Sequence, residues 1–87
     1  MLDEFRWNDW NAEHATRHGC TIEEIESVVR RNLKQARQGG QEKWTVQGRG
    51  QGDRVIRVVF LVDPEPERTI YVIHAMPLTT RRRRRGR

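Results

Sequence analysis

The sequence predicts an α+β domain, in which two N-terminal helices pack on an antiparallel sheet of three or four strands and a short basic helix closes the chain. In the first half, apolar residues recur at helical spacing. From Trp44 onward they alternate with polar residues or form β-branched runs, as strands do. Helices followed by a meander of strands are typical of the α+β class. The 87 residues supply one hydrophobic core, so residues 1–87 are expected to form a single domain.

The first predicted helix follows a short extended segment. Residues 5–7 (Phe-Arg-Trp) alternate between apolar and polar side chains, which indicates a short strand or a packed entry segment. Asn8 or Asp9 then caps the helix, because their side-chain oxygens accept hydrogen bonds from the free amides of the first turn. The helix is expected to run through His14 to His18 and to end at Gly19, since glycine readily adopts the conformation of a helix stop.

The second predicted helix begins with a capping box. Thr21 is the N-cap residue, and Glu24, three residues later, reaches back to the amide of Thr21. Residues 38–40 (Gln-Gly-Gly) end the helix. An apolar stripe at helical spacing indicates the face that packs on the sheet, and it consists of Ile22, Ile25, Val28, Val29 and Leu33.

Three strands are predicted after the helices. Residues 44–47 alternate, as a strand with one buried face does, and residues 48–53 form a glycine-rich turn. Residues 55–62 are nearly all apolar and β-branched, which is typical of a central strand. Residues 63–67 contain two prolines and are expected to form a loop, because proline lacks the amide that a strand ladder requires. Residues 69–76 form the last strand.

The C-terminal segment concentrates the positive charge of the chain. Pro77 fits the first turn of a short helix, and Thr79 or Thr80 is an equally good cap. Six of the 17 Lys and Arg residues lie in residues 81–87, which contain no acid, so the rest of the chain has 11 basic and 12 acidic side chains. Such a run is either a solvated tail, because like charges repel, or a phosphate-binding element. The segregation of charge favours binding to nucleic acid or to an acidic partner.

Composition also bounds the class of protein. Cys20 is the one cysteine in the sequence, so an intrachain disulfide is excluded, in agreement with a reducing compartment. Residues 1–5 are acidic and lack the apolar core of a signal peptide. No apolar run approaches the about 20 residues that span a bilayer. The sequence therefore predicts a cytoplasmic protein without a membrane segment.

The histidines and the cysteine have structural explanations that are preferred over functional ones. His14 and His18 are spaced to face one metal ion, but a zinc site needs more ligands, and nothing in the spacing places His74 nearby. No metal site is therefore predicted. Cys20 precedes a helix N-cap, which would lower its pKa and activate it as a nucleophile. A small buried residue that packs against the helix is the commoner role.

The glycine-rich turn resembles a phosphate loop only superficially. Phosphate loops of the glycine-rich kind lead into a helix whose amides point at the anion, whereas a strand follows residues 48–52 here. These glycines are therefore expected to permit the tight backbone turn of a hairpin. Arg49 and Arg54 still add positive charge near the turn.

Two blocks of the sequence resemble the BrnT-like toxin family. Residues 5–24 (FRWNDWNAEHATRHGCTIEE) resemble the opening of the family, in which a Trp-Asp or Trp-Asn start, an Asn a few residues later and a His-Gly pair before a Glu-rich helix recur. Residues 71–82 (YVIHAMPLTTRR) resemble its closing strand and basic helix. The likeness follows the same order along most of the chain, with a degenerate middle.

The resemblance implies a fold and an activity. BrnT-like proteins belong to the RelE-type toxins, which are small α+β ribonucleases. The chain is accordingly expected to be the toxin of a bacterial type II toxin–antitoxin system, a metal-independent endoribonuclease that cleaves mRNA and inhibits translation in the cytoplasm. Its expected partners are RNA and an antitoxin with a ribbon-helix-helix domain, so operator DNA is contacted only through the antitoxin. No cofactor is expected.

The resemblance also suggests which residues carry the activity. RNA cleavage of this kind needs a group that activates the 2′-hydroxyl, cations around the phosphorane and an acid for the leaving oxygen. His74 is expected to supply acid or base chemistry, with Arg81 on the scissile phosphate and Arg57 assisting from the central strand. The expected RNA-binding and phosphate-binding residues are Arg49, Arg54, Arg82, Arg83 and Arg84.

Two features depart from the family pattern. Relatives often have Arg after the Ala of the closing strand, whereas this chain has Met76 after Ala75. Relatives also mix acids among their C-terminal basic residues, and this tail has none. Two hypotheses therefore stay open. The chain is either a catalytic toxin or a non-catalytic family member that binds nucleic acid or a protein partner through its arginine-rich end.

Overall fold

The computed structural model describes residues 4–63 and 68–78, apart from the side chain of Gln41. The predicted C-terminal helix and its arginines lie outside these residues. Within the described part, the chain is α+β, with two α-helices and a five-stranded mixed sheet. In chain order the elements are β1 (Glu4–Phe5), α1 (Asp9–Thr16), α2 (Ile22–Asn32), β2 (Arg37–Gln38), β3 (Trp44–Arg49), β4 (Val55–Asp63) and β5 (Thr69–Pro77).

Both helices begin with a reciprocal capping box. The Asn8 side chain accepts a hydrogen bond from the Asn11 amide at 3.0 Å, and the Asn11 side chain accepts one from the Asn8 amide at 2.7 Å. Thr21 and Glu24 exchange the same pair of bonds at the start of α2. These bonds satisfy amides that have no partner within the first turn. Thr21 is therefore confirmed as the N-cap of α2, and Asn8, not Asp9, as that of α1. The prediction that α1 continues through His18 to a stop at Gly19 is wrong, since the helix ends at Thr16.

The second helix ends earlier than the sequence predicts. It stops at Asn32, and one turn of 3₁₀ helix, Leu33–Gln35, follows. Ala36 then adopts an extended conformation, and β2 pairs antiparallel with the first residues of β3. The prediction that the helix continues to residues 38–40 is wrong, because pairing with the sheet edge competes with the helix for this polar segment.

The sheet order is β1-β5-β4-β3-β2, so the prediction of a purely antiparallel sheet with three or four strands is wrong. The three predicted strands form its centre as an antiparallel meander. β1 lies at one edge of the sheet and pairs parallel to β5. It comes before both helices in the chain. β2 adds to the other side. Each added strand has two residues. The alternation of residues 5–7 indicates a short strand near β1, whereas β2 is too short to leave an alternating pattern in the sequence.

The hydrophobic core lies between the helices and one face of the sheet. β4 occupies the centre of the sheet, as its β-branched composition predicts, and its alternate residues Ile56, Val58 and Phe60 are buried. The other fully buried apolar residues are Ala15, Cys20, Ile25, Val28, Val29, Val46, Ile70, Val72 and Ala75. None of the helices in the described part of the chain is long and apolar enough to cross a membrane.

A buried asparagine fixes α1 beside β5. β1 ends at Phe5, and from there Asn11 takes over the contact with β5. Its amide nitrogen donates hydrogen bonds to the carbonyl oxygens of Val72 and Arg6, both at 3.0 Å. Buried carbonyl groups need a hydrogen-bond donor. Asn11 supplies to β5 the donor that the backbone of a longer β1 would otherwise supply. The first turn of α1 is thereby held against the same strand.

The pairing of β4 with β5 contains an irregularity. Val59 pairs with His74, whereas the next residue, Phe60, pairs with Val72. Ile73 therefore has no partner in the register, as in a β-bulge.

Candidate functional site

The helices leave the second face of the sheet uncovered by described elements. Residues of β4 alternate between the two faces, so Arg57 and Val59 point away from the core. Because paired residues of neighbouring strands share a face, the register extends Arg57 and Val59 into two rows across the sheet, and the same side of β4 continues through Leu61 to Asp63. The first row is Arg37, Thr45, Val59 and His74, and the second is Gln47, Arg57 and Met76. We call the surface formed by these two rows the open face.

The open face combines cations with a cleft. Its first row crosses four strands, which places Arg37 about 14 Å from His74 at the usual strand spacing. An open cleft of about 540 Å³ lies at the β2 end, lined by Gln35, Arg37, Thr45, Val46 and Gln47. No acidic side chain belongs to either row. The arrangement suits an elongated anion.

Two of the predicted catalytic residues come together on the open face. Arg57 pairs with Met76, so His74, two residues earlier on β5, is its diagonal neighbour. Diagonal neighbours in a sheet are within reach of long side chains. The sequence analysis placed Arg57 and His74 on separate predicted strands without a contact between them. Antiparallel pairing of β4 and β5 makes the two residues diagonal neighbours on one face.

The surroundings of His74 favour its neutral imidazole. Partial burial lowers the pKa of His74 below its ordinary value, and the nearby charges of His18 and Arg57 lower it further. A neutral imidazole can accept a proton. Of the acid and base roles that the sequence analysis left open for His74, the lowered pKa suits the base.

His18 lies directly beside His74. Their ring centroids are 5.4 Å apart, and the rings meet edge to face with an interplanar angle of 66°. Among the described residues, neither ring makes a hydrogen bond, whereas Nδ1 of His14 lies 2.7 Å from the Trp10 carbonyl oxygen. Sequence spacing missed this pair, because only the packing of α1 against β5 creates it.

His14 and His18 do not face a common site. His14 stacks on Trp10, with ring centroids 3.9 Å apart, while His18 turns to His74. Within residues 4–63 and 68–78, no group of three His, Cys, Asp or Glu side chains could hold a metal ion.

Arg54 and Glu24 form an ion pair beneath the β3–β4 turn. The Glu24 side chain is 1 % exposed, and its carboxylate accepts hydrogen bonds from Arg54 Nη2 at 2.9 Å and from the Gln51 amide at 2.7 Å. Burial alone raises the pKa of Glu24, but the hydrogen bonds from Arg54, Gln51 and Thr21 outweigh burial and lower it. Arg54 also donates to the Gly19 carbonyl oxygen. Its guanidinium therefore holds the turn against α2. The role in RNA binding that the sequence analysis expected for Arg54 stays a prediction.

Arg49 has a different setting. It pairs with Asp53 at 3.4 Å, and both side chains are largely exposed. An exposed pair of this kind contributes little to stability, so the guanidinium can exchange this partner for a phosphate at small cost. Arg49 lies on β3, beyond the second row of the open face.

The glycines near the turn serve packing. A Cβ atom at Gly48 would overlap the Asn32 side chain, and one at Gly50 would overlap the Glu24 carboxylate and Ile56. These positions let α2 approach β3 closely. Gly48 and Arg49 belong to β3, so the turn is shorter than the predicted residues 48–53.

Cys20 is part of the core. Its side chain is buried, and burial together with the charge of Glu24 raises the pKa of the thiol, against a smaller opposing effect of Arg54. The activation that a helix N-terminus would give is therefore outweighed. A thiol of raised pKa is a weak nucleophile near neutral pH, which agrees with the packing role preferred from the sequence.

The remaining candidates of the sequence analysis are Arg81, Arg82, Arg83 and Arg84, which lie outside the described residues. The chain enters that segment from the edge of the open face. Met76 belongs to the second row, and the Leu78 amide donates to the Val55 carbonyl oxygen at 2.8 Å. No protein-family model matches the chain, and no curated protein matches it either.

Proposed function

We propose that this protein is the toxin of a type II toxin–antitoxin system of the BrnT-like, RelE-type kind, a metal-independent endoribonuclease that cleaves mRNA in the cytoplasm. The observation that supports this function best is the juxtaposition of His74 and Arg57 on the open face. A base and a cation on neighbouring strands supply two of the groups that cleavage by a 2′-hydroxyl requires.

The proposed chemistry assigns one step to each residue. The His74 imidazole takes the proton of the 2′-hydroxyl, and the 2′-oxygen attacks the adjacent phosphorus. Arg57 stabilises the charge of the phosphorane, because a guanidinium binds phosphate oxygens in two-pronged fashion. The arginines at positions 81–84 add phosphate contacts from the C-terminal segment.

The open face supports an extended RNA path. Arg37 lies at the far end of the row that contains His74, and the cleft beside it has room for part of a nucleotide chain. Cationic side chains along such a path bind successive phosphates without reading the bases. Arg49 extends the positive surface beyond the second row.

An antitoxin with a ribbon-helix-helix domain is the proposed partner. The same cations that attract RNA attract an acidic antitoxin segment, which would then cover the open face and exclude the substrate. Salt screens such attraction. The affinity of the complex should therefore fall as ionic strength rises, and an affinity that salt leaves unchanged would rule out docking through these charges.

The activity is tested by incubating the purified full-length chain with mRNA in the presence of EDTA. The expected products carry 2′,3′-cyclic phosphate and 5′-hydroxyl ends, because the 2′-oxygen is the nucleophile. His74→Ala is expected to slow cleavage about 10²- to 10⁴-fold, the usual contribution of a positioned general base. His14→Ala is the matched control, since its ring is held by Trp10 away from the open face. Equal cleavage by all three proteins would remove His74 from the mechanism.

A second candidate function follows from Met76. This residue pairs with Arg57 at the position where the resembled family often has Arg, so the open face has one cation fewer. Without that charge the protein could bind RNA or its partner and not cleave. Met76→Arg distinguishes the two functions. It is expected to raise the cleavage rate of a toxin with a working base, and to increase only the RNA affinity of a protein that binds without cleaving.

A further inference from the structure

We infer that His18 is the general acid of the proposed ribonuclease, so that His18 and His74 form a two-histidine site for one phosphodiester. The inference rests on the proposed function and names a residue that neither the sequence pattern nor the resemblance assigned. Cleavage at the 2′-hydroxyl needs a second proton transfer, because the 5′-oxygen must leave as a hydroxyl and not as an alkoxide. Arg57 cannot supply that proton, since a guanidinium does not deprotonate in proteins.

The geometry places a second imidazole where it is needed. The centroids of His18 and His74 are 5.4 Å apart. Hydrogen bonds of about 2.8 Å from each ring therefore reach two oxygens attached to the same phosphorus. Neither ring is hydrogen-bonded to another described residue, so their nitrogens are available to a substrate.

Electrostatics divides the two roles between the rings. A charge on the neighbouring His18 lowers the pKa of His74, in addition to the larger effect of burial. His74 is half-buried and diagonal to Arg57, whereas His18 is exposed at the end of α1. Both the desolvation of His74 and the Arg57 charge lower the pKa of His74, which suits the base of the pair. One base and one acid then face the same phosphate.

The reaction balances with these two groups. His74 takes the proton of the 2′-hydroxyl as the bond between the 2′-oxygen and phosphorus forms. The bond between phosphorus and the 5′-oxygen breaks, and that oxygen takes the proton of His18. The products are a 2′,3′-cyclic phosphate, a 5′-hydroxyl, a protonated His74 and a neutral His18. Exchange of protons with water restores the starting state.

A substrate with sulfur in place of the leaving 5′-oxygen tests the assignment, because a thiolate leaves without a proton. His18→Ala is expected to slow cleavage of ordinary RNA about 10²- to 10⁴-fold and to leave cleavage of the sulfur substrate within a few-fold of the unsubstituted protein. His74→Ala should slow both substrates. The control His14→Ala, four residues earlier on α1, should slow neither.

The pH dependence provides a second readout. The unsubstituted protein should show a bell-shaped profile for kcat/KM, and His18→Ala should lose the fall at high pH that reports the acid. Equal slowing of both substrates by His18→Ala, or slowing of neither, overturns the role of His18 while the proposed function stands. Absence of cleavage of both substrates by the unsubstituted full-length chain overturns the proposed function, and the inference with it.

Discussion

Glu24 accepts hydrogen bonds from two nitrogens of the Arg54 guanidinium in a position where the carboxylate is almost completely buried. The same carboxylate caps α2 and accepts the amide of Gln51. One side chain thus joins the helix, the turn and the start of β4. Removal of either partner would affect all three elements.

Arg54→Ala is expected to lower the free energy of unfolding by about 2–3 kcal/mol, because the Glu24 carboxylate stays buried without its cation. Arg54 is partly exposed, so the loss should be smaller than the about 3–5 kcal/mol expected when a fully buried pair is broken. Urea denaturation measures the change. Arg49→Ala is the control, since its pair with Asp53 is exposed and contributes at most about 1 kcal/mol. Equal losses for the two variants would contradict a structural role for the buried pair.

Asn11→Ala is expected to cost about 2–4 kcal/mol of unfolding free energy, since it leaves the buried Val72 carbonyl and the Asn8 amide without their partners and opens a small cavity. Asn8→Ala, which removes an N-cap and an exposed hydrogen bond to the Tyr71 hydroxyl, should cost about 1 kcal/mol. Thermal or urea denaturation of the two variants compares them. A smaller loss for Asn11 than for Asn8 would show that β5 does not depend on this side chain.

The stability of the fold should depend on pH through His74. Because its pKa is lowered in the folded protein, the unfolded chain binds this proton at a higher pH than the folded protein does. Stability is therefore unaffected by His74 above the unfolded pKa of about 6.5 and falls as the pH decreases from there toward the folded-state pKa. Urea denaturation across this window should show the slope. His74→Gln should remove it and His14→Gln should keep it, so a slope that survives in His74→Gln has another source.

Gly50→Ala is expected to destabilise the protein by about 1–3 kcal/mol, because its Cβ would displace the Glu24 carboxylate or Ile56 from the core. Gly40→Ala is the matched control. No atom lies within 4 Å of a Cβ at Gly40, and its φ is not positive, so this change should be neutral or stabilise by up to about 1 kcal/mol. Chemical denaturation of both variants measures the difference, and two neutral results would mean that α2 can shift away from β3.

The sequence predicts those parts of the fold whose signals lie within a few residues. Asn8 and Thr21 are recognisable as N-caps because each bonds to the residue three positions later. The alternation and β-branched content of β3 and β4 likewise identify them as strands. The capping role of Glu24 is visible in the same way, but its bond with Arg54 is not, since it depends on how the turn folds back over the helix.

Contacts between distant segments could not be predicted. β1 and β2 have two residues each, and pairing with an edge of the sheet determines their strand conformation more than their own composition does. The pairing of His18 with His74 depends on α1 lying beside β5, which the Asn11 hydrogen bonds secure. Within the candidate site, His74 and Arg57 are therefore readable from the sequence, whereas Arg37 and His18 become candidates only through strand pairing and helix packing.

The unpaired Ile73 shifts the alternation of inward-facing and outward-facing side chains along β5. Before it, the buried residues Ile70 and Val72 are even-numbered, and after it the buried residue Ala75 is odd-numbered. A strict alternation would have continued the inward series from Val72 to His74. The single extra residue instead sends the histidine outward. The bulge thereby decides on which face of the sheet His74 and Met76 lie, whereas the residues of the open face on β2, β3 and β4 keep their orientation whatever the phase of β5.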